Sequence, residues 1–289
     1  MKTIIIFSLI FTAMLRAEPY YRTGDYFDTS IAWDVIKKST YSVPTDFYNI
    51  ATTPFKNPLQ TLGYLGIIGA LVVVDKPVTT FYQESVEEPL DFYGFPTIYD
   101  SQITHGADSW LVFGTMAHYL GGFALGSEKS QVTSIMAMKA ITYSYVISHL
   151  LLKAITGRNR PKDDLKNDNG TSSTSTADPY DFGHLHSPTF ESAAEGTAMP
   201  SFHVTMYFSV AKVYQEMYDN YWLPYTALAI IFASDIKGHN HWVSDMVAGG
   251  IVGTFIGTQI VSSYKSNNED KTGFSLVPLR NGLALSYTY

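Results

Sequence analysis

Six apolar stretches, each about three helical turns or longer, constrain what this chain can fold into. They are Leu59–Val74, Trp110–Leu125, Val132–Ile155, Val204–Tyr218, Leu223–Ala233 and Met246–Ser263. Clean period-two alternation is nearly absent from them, so an all-α helical bundle is the expected architecture. Most of these runs hold fewer apolar residues than the roughly 20 that a membrane-spanning helix needs. The longest, Val132–Ile155, carries Lys139 and His149 in its interior. A bundle buried on itself, with peripheral membrane contact, is therefore the favoured expectation, and a membrane-embedded bundle is the alternative. Gly249, Gly253 and Gly257 recur at every fourth position, a spacing that lets helix backbones approach closely in lipid or in a tight core.

The rest of the chain divides around these runs. With 289 residues it can bury a sizeable core as one large domain or two small ones. A net charge of −7 argues against nucleic acid as a partner, so any anion site must be a local cluster of cations. There are no cysteines, which removes thiol chemistry and thiolate metal sites. Lys2, the apolar run Ile4–Leu15 and Ala17 fit a signal peptide over residues 1–17. Export follows from that, to a bacterial periplasm or an outer-membrane-associated state, with integral inner-membrane placement as the alternative. Residues 18–57 read as an irregular Tyr-rich segment with one short helix near Asp46–Ala51. Residues 58–265 read as the helical domain. Within it, residues 163–195 are polar, with Asn167–Thr176 unable to bury anything, and read as a mobile insertion loop. Residues 266–289 alternate around Asn281-Gly282 and predict a C-terminal β-hairpin appendage.

Three polar clusters interrupt the apolar background. Lys153 and Arg160 stand seven residues apart, close to two helical turns, and Pro161 ends the helix just beyond them. Such a pair is either two snorkelling surface cations or a clamp on a multiply charged anion, with Arg160 forked onto two oxygens. Pro200-Ser201-Phe202-His203 opens the next apolar run, where Ser201 is a natural N-cap and the free amides of a helix start receive anions. His203 would lie close to whatever binds there, or else be a partly buried His bonded to a carbonyl. In the stretch 234–245, His241 and Asp245 are four apart and share a helical face. The carboxylate can accept one imidazole N–H and leave the other nitrogen as a lone pair, as a nucleophile or general base requires. Alternatively Asp245 is a helix cap beside a structural His.

Taken in order, Lys-x6-Arg-Pro, Pro-Ser-x-His and Ser-x6-His-x3-Asp resemble the type 2 phosphatidic acid phosphatase and vanadium haloperoxidase superfamily, whose members are α-helical bundles. The resemblance covers about residues 60–260. It implies that His241 attacks phosphorus to form a phosphohistidine, that Asp245 orients it, and that His203 protonates the leaving oxygen and then activates water. Lys153, Arg160, Ser201 and the amide of Phe202 would bind the phosphate oxygens of a phosphate ester or lipid phosphate, with no metal or other cofactor required. Two positions depart from the family pattern. Phe202 stands where a Gly is usual, which puts a ring near the pocket. Asp235 stands where a second phosphate-binding Arg is usual, replacing attraction of a phosphate dianion with repulsion. Arg158, Lys237 or His239 could compensate for it. The resemblance therefore carries three functional readings: a phosphatase, a degenerate member that binds an anion or partner without turnover, and a vanadate-dependent haloperoxidase. A fourth reading takes His184, His186, His239 and His241 as a metal site.

Overall fold

The computed structural model describes residues 21–90, 98–99, 108–170, 172–191, 194–233, 240–268, 273–279 and 282–288. The expected signal peptide lies outside these residues. Among those described, eight helices form the bundle: α1 (Thr29–Tyr41), α2 (Val43–Lys56), α3 (Pro58–Glu87), α4 (Asp108–Ala124), α5 (Glu128–Thr156), α6 (Phe202–Tyr218), α7 (Trp222–Ala233) and α8 (Val243–Asn268). The expected all-α class holds. The C-terminal hairpin is also present, as β1 (Gly273–Leu279) paired antiparallel with β2 (Gly282–Thr288), with Leu279 opposite Gly282.

Residues 18–57 are more helical than expected: the short helix read at Asp46–Ala51 is part of the longer α2, and α1 precedes it, because two helix-starting signals lie in that segment. Asp28 caps α1 by accepting the amides of Ser30 and Ile31 at 2.9 and 3.3 Å. Pro44 then sits in the first turn of α2, where its missing N–H costs nothing. α2 is tied to α5 through buried Asp46, which pairs with Lys139 and accepts the Tyr143 hydroxyl at 2.9 Å.

The expectation that the apolar runs are too short to cross a membrane is also corrected. α3 (30 residues), α5 (29 residues) and the segment Val243–Ser266 of α8 (24 residues) are long and apolar enough to do so. The helices extend past their apolar runs into flanking polar turns, and Lys139, which seemed to disqualify α5, is neutralised inside the protein by Asp46. α3 makes the point most sharply. Its only buried residues are Asp75 and Thr79, while Leu59, Leu62, Leu65, Ile67, Val73 and Phe81 are all more than half exposed. That much exposed apolar surface fits membrane association rather than a water-facing helix.

The core forms where α6 lies between α5 and α8. Gly249, Gly253 and Gly257 face Ser201, Thr205 and Ser209 on α6. A Cβ at Gly249 would sit 2.6 Å from the Ser201 carbonyl oxygen, and one at Gly257 would sit 2.6 Å from that of Ser209. Only glycine permits this approach. On its other side α6 meets α5 through hydroxyl pairs, Ser144 with Ser209 at 2.9 Å and Thr205 with Ser148 at 3.2 Å. The close α6–α8 contact brings the starts of both helices together at one end of the bundle.

Candidate active site

Three chain segments converge at that end. The first is the exit of α5. Gly157 ends the helix with φ +54, a conformation L side chains rarely adopt, and a Cβ there would come within 2.5 Å of the His184 backbone. The chain then runs as an extended strip whose backbone is stitched to the long insertion. The His184 amide donates to Gly157 O at 2.9 Å, Asn159 to Asp181 O at 3.0 Å, and Thr176 to Arg160 O at 2.9 Å. The insertion, read from its composition as a mobile loop, is thus strapped across the site by main-chain hydrogen bonds.

The second and third segments are the starts of α6 and α8, joined directly by the Ser201 amide donating to Asp245 O at 3.0 Å. His241 is buried just before α8. Its Nδ1 lies 3.6 Å from Asp245 Oδ2, and its Nε2 lies 3.4 Å from an Arg160 nitrogen. One ring nitrogen therefore faces a carboxylate and the other faces a cation. Arg160 is held there by donating to Asn240 O at 3.1 Å. Burial lowers its guanidinium to about 10, opposed by the charge of Asp245, so it remains a cation at neutral pH. Lys153 is 2 % exposed, one helical turn before Gly157, and lies within electrostatic reach of both Arg160 and Asp245.

Asp245 is fixed from several directions. Oδ2 accepts the Trp242 amide at 3.2 Å, and Oδ1 accepts Arg158 at 2.6 Å. The Trp242 indole is fully buried and donates to Asn159 O at 3.0 Å, locking the strip after α5 to the start of α8. Arg158 gives both terminal nitrogens to protein partners. Besides Asp245 it donates to Ser244 Oγ at 2.7 Å, Asp75 Oδ2 at 2.8 Å and Pro179 O at 2.6 Å, with Phe182 and Trp242 rings against its guanidinium. It is placed to hold Asp245 rather than to meet a ligand. Asp75 also caps α8 from the outside, accepting the Ser244 amide at 3.0 Å, while Thr79 accepts that of Val243 at 3.1 Å. This is what the two buried residues of α3 do.

At the start of α6, Ser201 Oγ is fully buried and has no hydrogen-bond partner among the described residues. A buried hydroxyl without a partner is costly, and it leaves a donor for a bound anion. Phe202 occupies the first helical position, where the amide has no acceptor within its own helix. Its ring, expected near the pocket, is buried edge-on to Tyr145 and His149 at centroid distances of 5.3 and 5.8 Å. His203 is half-buried beside it, with Nε2 3.0 Å from Asp108 Oδ2.

Lys153, Arg160, Ser201, Phe202, His203, His241 and Asp245 are therefore gathered at one place. Asp235, Lys237 and His239 lie outside the described residues. Among the described residues no group of three His, Asp or Glu side chains is arranged to hold a metal ion. His184 is instead flanked by Asp181 Oδ1 at 2.6 Å and Glu195 Oε1 at 2.7 Å, and the hydrogen bond to Asp181 raises its imidazole above the ordinary range. Three residues of the site have no motif to announce them: Asp75, Asp108 and His149, the last stacked on Tyr145 one turn before Lys153. A single carboxylate at the end of an apolar run was the available signal, since such a charge needs a partner when buried.

An α-helical bundle that gathers two histidines, a carboxylate behind one of them, and two basic side chains at a helix exit beside converging helix starts is chemically suited to binding and transferring a phosphoryl group. Residues 131–269 match the family model described as the PAP2 superfamily, and this match supports membership of the type 2 phosphatidic acid phosphatase superfamily. Neither the curated proteins nor the solved structures yield a match.

Proposed function

We propose that this protein is an exported phosphatase that hydrolyses a phosphomonoester or a lipid phosphate or pyrophosphate, without a metal, through a phosphohistidine on His241. The observation that carries the reading is His241 held between Asp245 on one ring nitrogen and Arg160 on the other. Nε2 attacks phosphorus as the bond to the leaving oxygen breaks, and His203 gives that oxygen a proton. His203 then takes a proton from water, the water oxygen attacks phosphorus, the P–N bond breaks and inorganic phosphate leaves. Arg160, Lys153, the Ser201 hydroxyl and the Phe202 amide neutralise the equatorial oxygens throughout.

A lipid phosphate suits the surroundings better than a small soluble ester. An apolar cavity of about 800 Å³ opens between α3, α6, α7 and α8, lined by Tyr82, Val204, Tyr207, Phe232, Val243 and Met246 among others. None of the catalytic candidates lines it. It adjoins the site through Val204, next to His203, and through Val243 and Met246 on either side of Ser244 and Asp245. A hydrocarbon chain leaving the phosphate site would find apolar walls there, alongside helices long enough for a bilayer.

A second reading rests on Asp235, which the family pattern would make an Arg. In it the protein binds a phosphate-bearing ligand without turning it over. Phosphate release from lipid and soluble phosphates in EDTA decides between the two, comparing wild type with His241→Ala and Asp235→Arg. Turnover by wild type, abolished in His241→Ala, supports the phosphatase. Silence of wild type with activity in Asp235→Arg supports the binding protein.

A further inference from the structure

His241 is not the only histidine of this site with its own carboxylate. Asp108, the first residue of α4, is fully buried, and its Oδ2 lies 3.0 Å from His203 Nε2. Tyr207, one helical turn beyond His203 on α6, donates its hydroxyl to the other oxygen of the same carboxylate. A carboxylate placed fully inside a protein is tolerated only where donors or a cation meet it. Among the described residues the partners of Asp108 include the ring of His203 and a tyrosine whose own ring is buried against Phe232. His149 lies in the joint field of His203, Lys153 and Arg160. The carboxylate of Asp108 is in direct contact with His203.

We propose that Asp108 is a positioning residue for His203 and works in both halves of the reaction. Before phosphoryl transfer it fixes the His203 ring through Nε2, so that the other ring nitrogen can carry the proton destined for the leaving oxygen. After that proton has gone, the remaining N–H stays on Asp108, and the other ring nitrogen presents a lone pair to water. Asp108 touches neither substrate nor phosphorus, and Tyr207 fixes the carboxylate in turn. This inference rests on the phosphatase reading above, with His203 as its acid and base.

The test is kcat/KM as a function of pH for the full chain in detergent, with p-nitrophenyl phosphate, whose leaving group needs little proton assistance, and an alkyl phosphate, whose leaving group needs much. Wild type, Asp108→Asn, Asp108→Glu and His203→Ala are compared. Loss of general acid catalysis is worth about 100-fold or more. Asp108→Asn should therefore lose about tenfold or more on the alkyl phosphate beyond its loss on p-nitrophenyl phosphate, with the same ordering as His203→Ala. The alkaline limb of its profile should move to lower pH, and Asp108→Glu should recover part of the rate. Should Asp108→Asn fail to fold, Asp108→Ser, which leaves room for water at the Tyr207 hydroxyl, is held to the same expectation. An equal loss on both substrates with an unmoved profile, or no loss at all, overturns the role of Asp108 and leaves the phosphatase reading intact. A wild type silent on both substrates removes the phosphatase reading, and this one with it.

Discussion

Arg158 carries the largest structural prediction. Its side chain is fully buried and bridges two buried carboxylates, Asp75 on α3 at 2.8 Å and Asp245 on α8 at 2.6 Å. Replacing it with Leu leaves both carboxylates without their cation, and breaking one buried pair by removing a partner costs about 3–5 kcal/mol. The Pro179 carbonyl and Ser244 hydroxyl lose a donor as well, about 1–3 kcal/mol for each group left unsatisfied. Domains of ordinary stability have about 5–15 kcal/mol in hand, so Arg158→Leu should be severely destabilised or fail to accumulate. Arg158→Lys keeps the charge but not the fork, and it should fold with lower stability and reduced kcat while KM changes little. The assay is denaturant unfolding in detergent micelles for Arg158→Leu, Asp75→Asn and the pair, read as a double-mutant cycle. Coupling should exceed about 1.5 kcal/mol, because Asp75→Asn removes one of the charges that Arg158→Leu strands. A loss below about 1 kcal/mol for Arg158→Leu, strict additivity, or a raised KM in Arg158→Lys at unchanged stability would refute the assignment and make Arg158 a phosphate ligand.

Three further outcomes follow from the geometry. Gly253→Val forces a side chain onto the Thr205 carbonyl and the Phe208 Cβ, so α6 and α8 must part. Stability should fall by about 1–3 kcal/mol or more, and activity should fall with it because Ser201 and Asp245 meet across that contact. Ser201→Ala removes a buried hydroxyl that has no protein partner among the described residues, so thermal stability should hold or rise while KM for phosphate esters increases. The contact of His184 with Asp181 raises the imidazole, and this stabilisation is fully present below the unfolded value near 6.5 and lost as pH rises through the raised folded value. Limited proteolysis of the 163–195 strap should therefore accelerate above neutral pH in wild type, and Asp181→Asn should be cut readily at pH 6 as well.

The sequence carries the elements of the site better than the contacts that hold them. Lys153, Arg160, Ser201, His203, His241 and Asp245 sit at the ends of apolar runs in a spaced motif, and the fold brings those ends together because the Gly249, Gly253 and Gly257 stripe forces α6 against α8. That stripe is visible from spacing alone. The supporting carboxylates are not. Asp75 reaches Ser244 across 169 positions and Tyr207 reaches Asp108 across 99, and no local periodicity encodes such pairings. α1 is missed and α2 is read only as a short helix at Asp46–Ala51 for a different reason: both are low in overall apolar content, and the cap at Asp28 and the proline at position 44 mark where they start. Membrane association is underestimated because apolar runs measure less than helices do. Leu59–Val74 is the core of a helix that continues to Glu87, and the lysine that argued against a membrane span in α5 is paired with Asp46 in another helix.

The central claim is that His241 becomes covalently phosphorylated, and rapid acid-free quenching during turnover of a ³²P-labelled lipid phosphate tests it directly. Wild type should carry an acid-labile, base-stable label that maps to His241. The label should be absent from His241→Ala and persist longer in His203→Ala when a good leaving group is used. Phosphate release at full rate with no protein-bound label, or a label on any other residue, would contradict the mechanism.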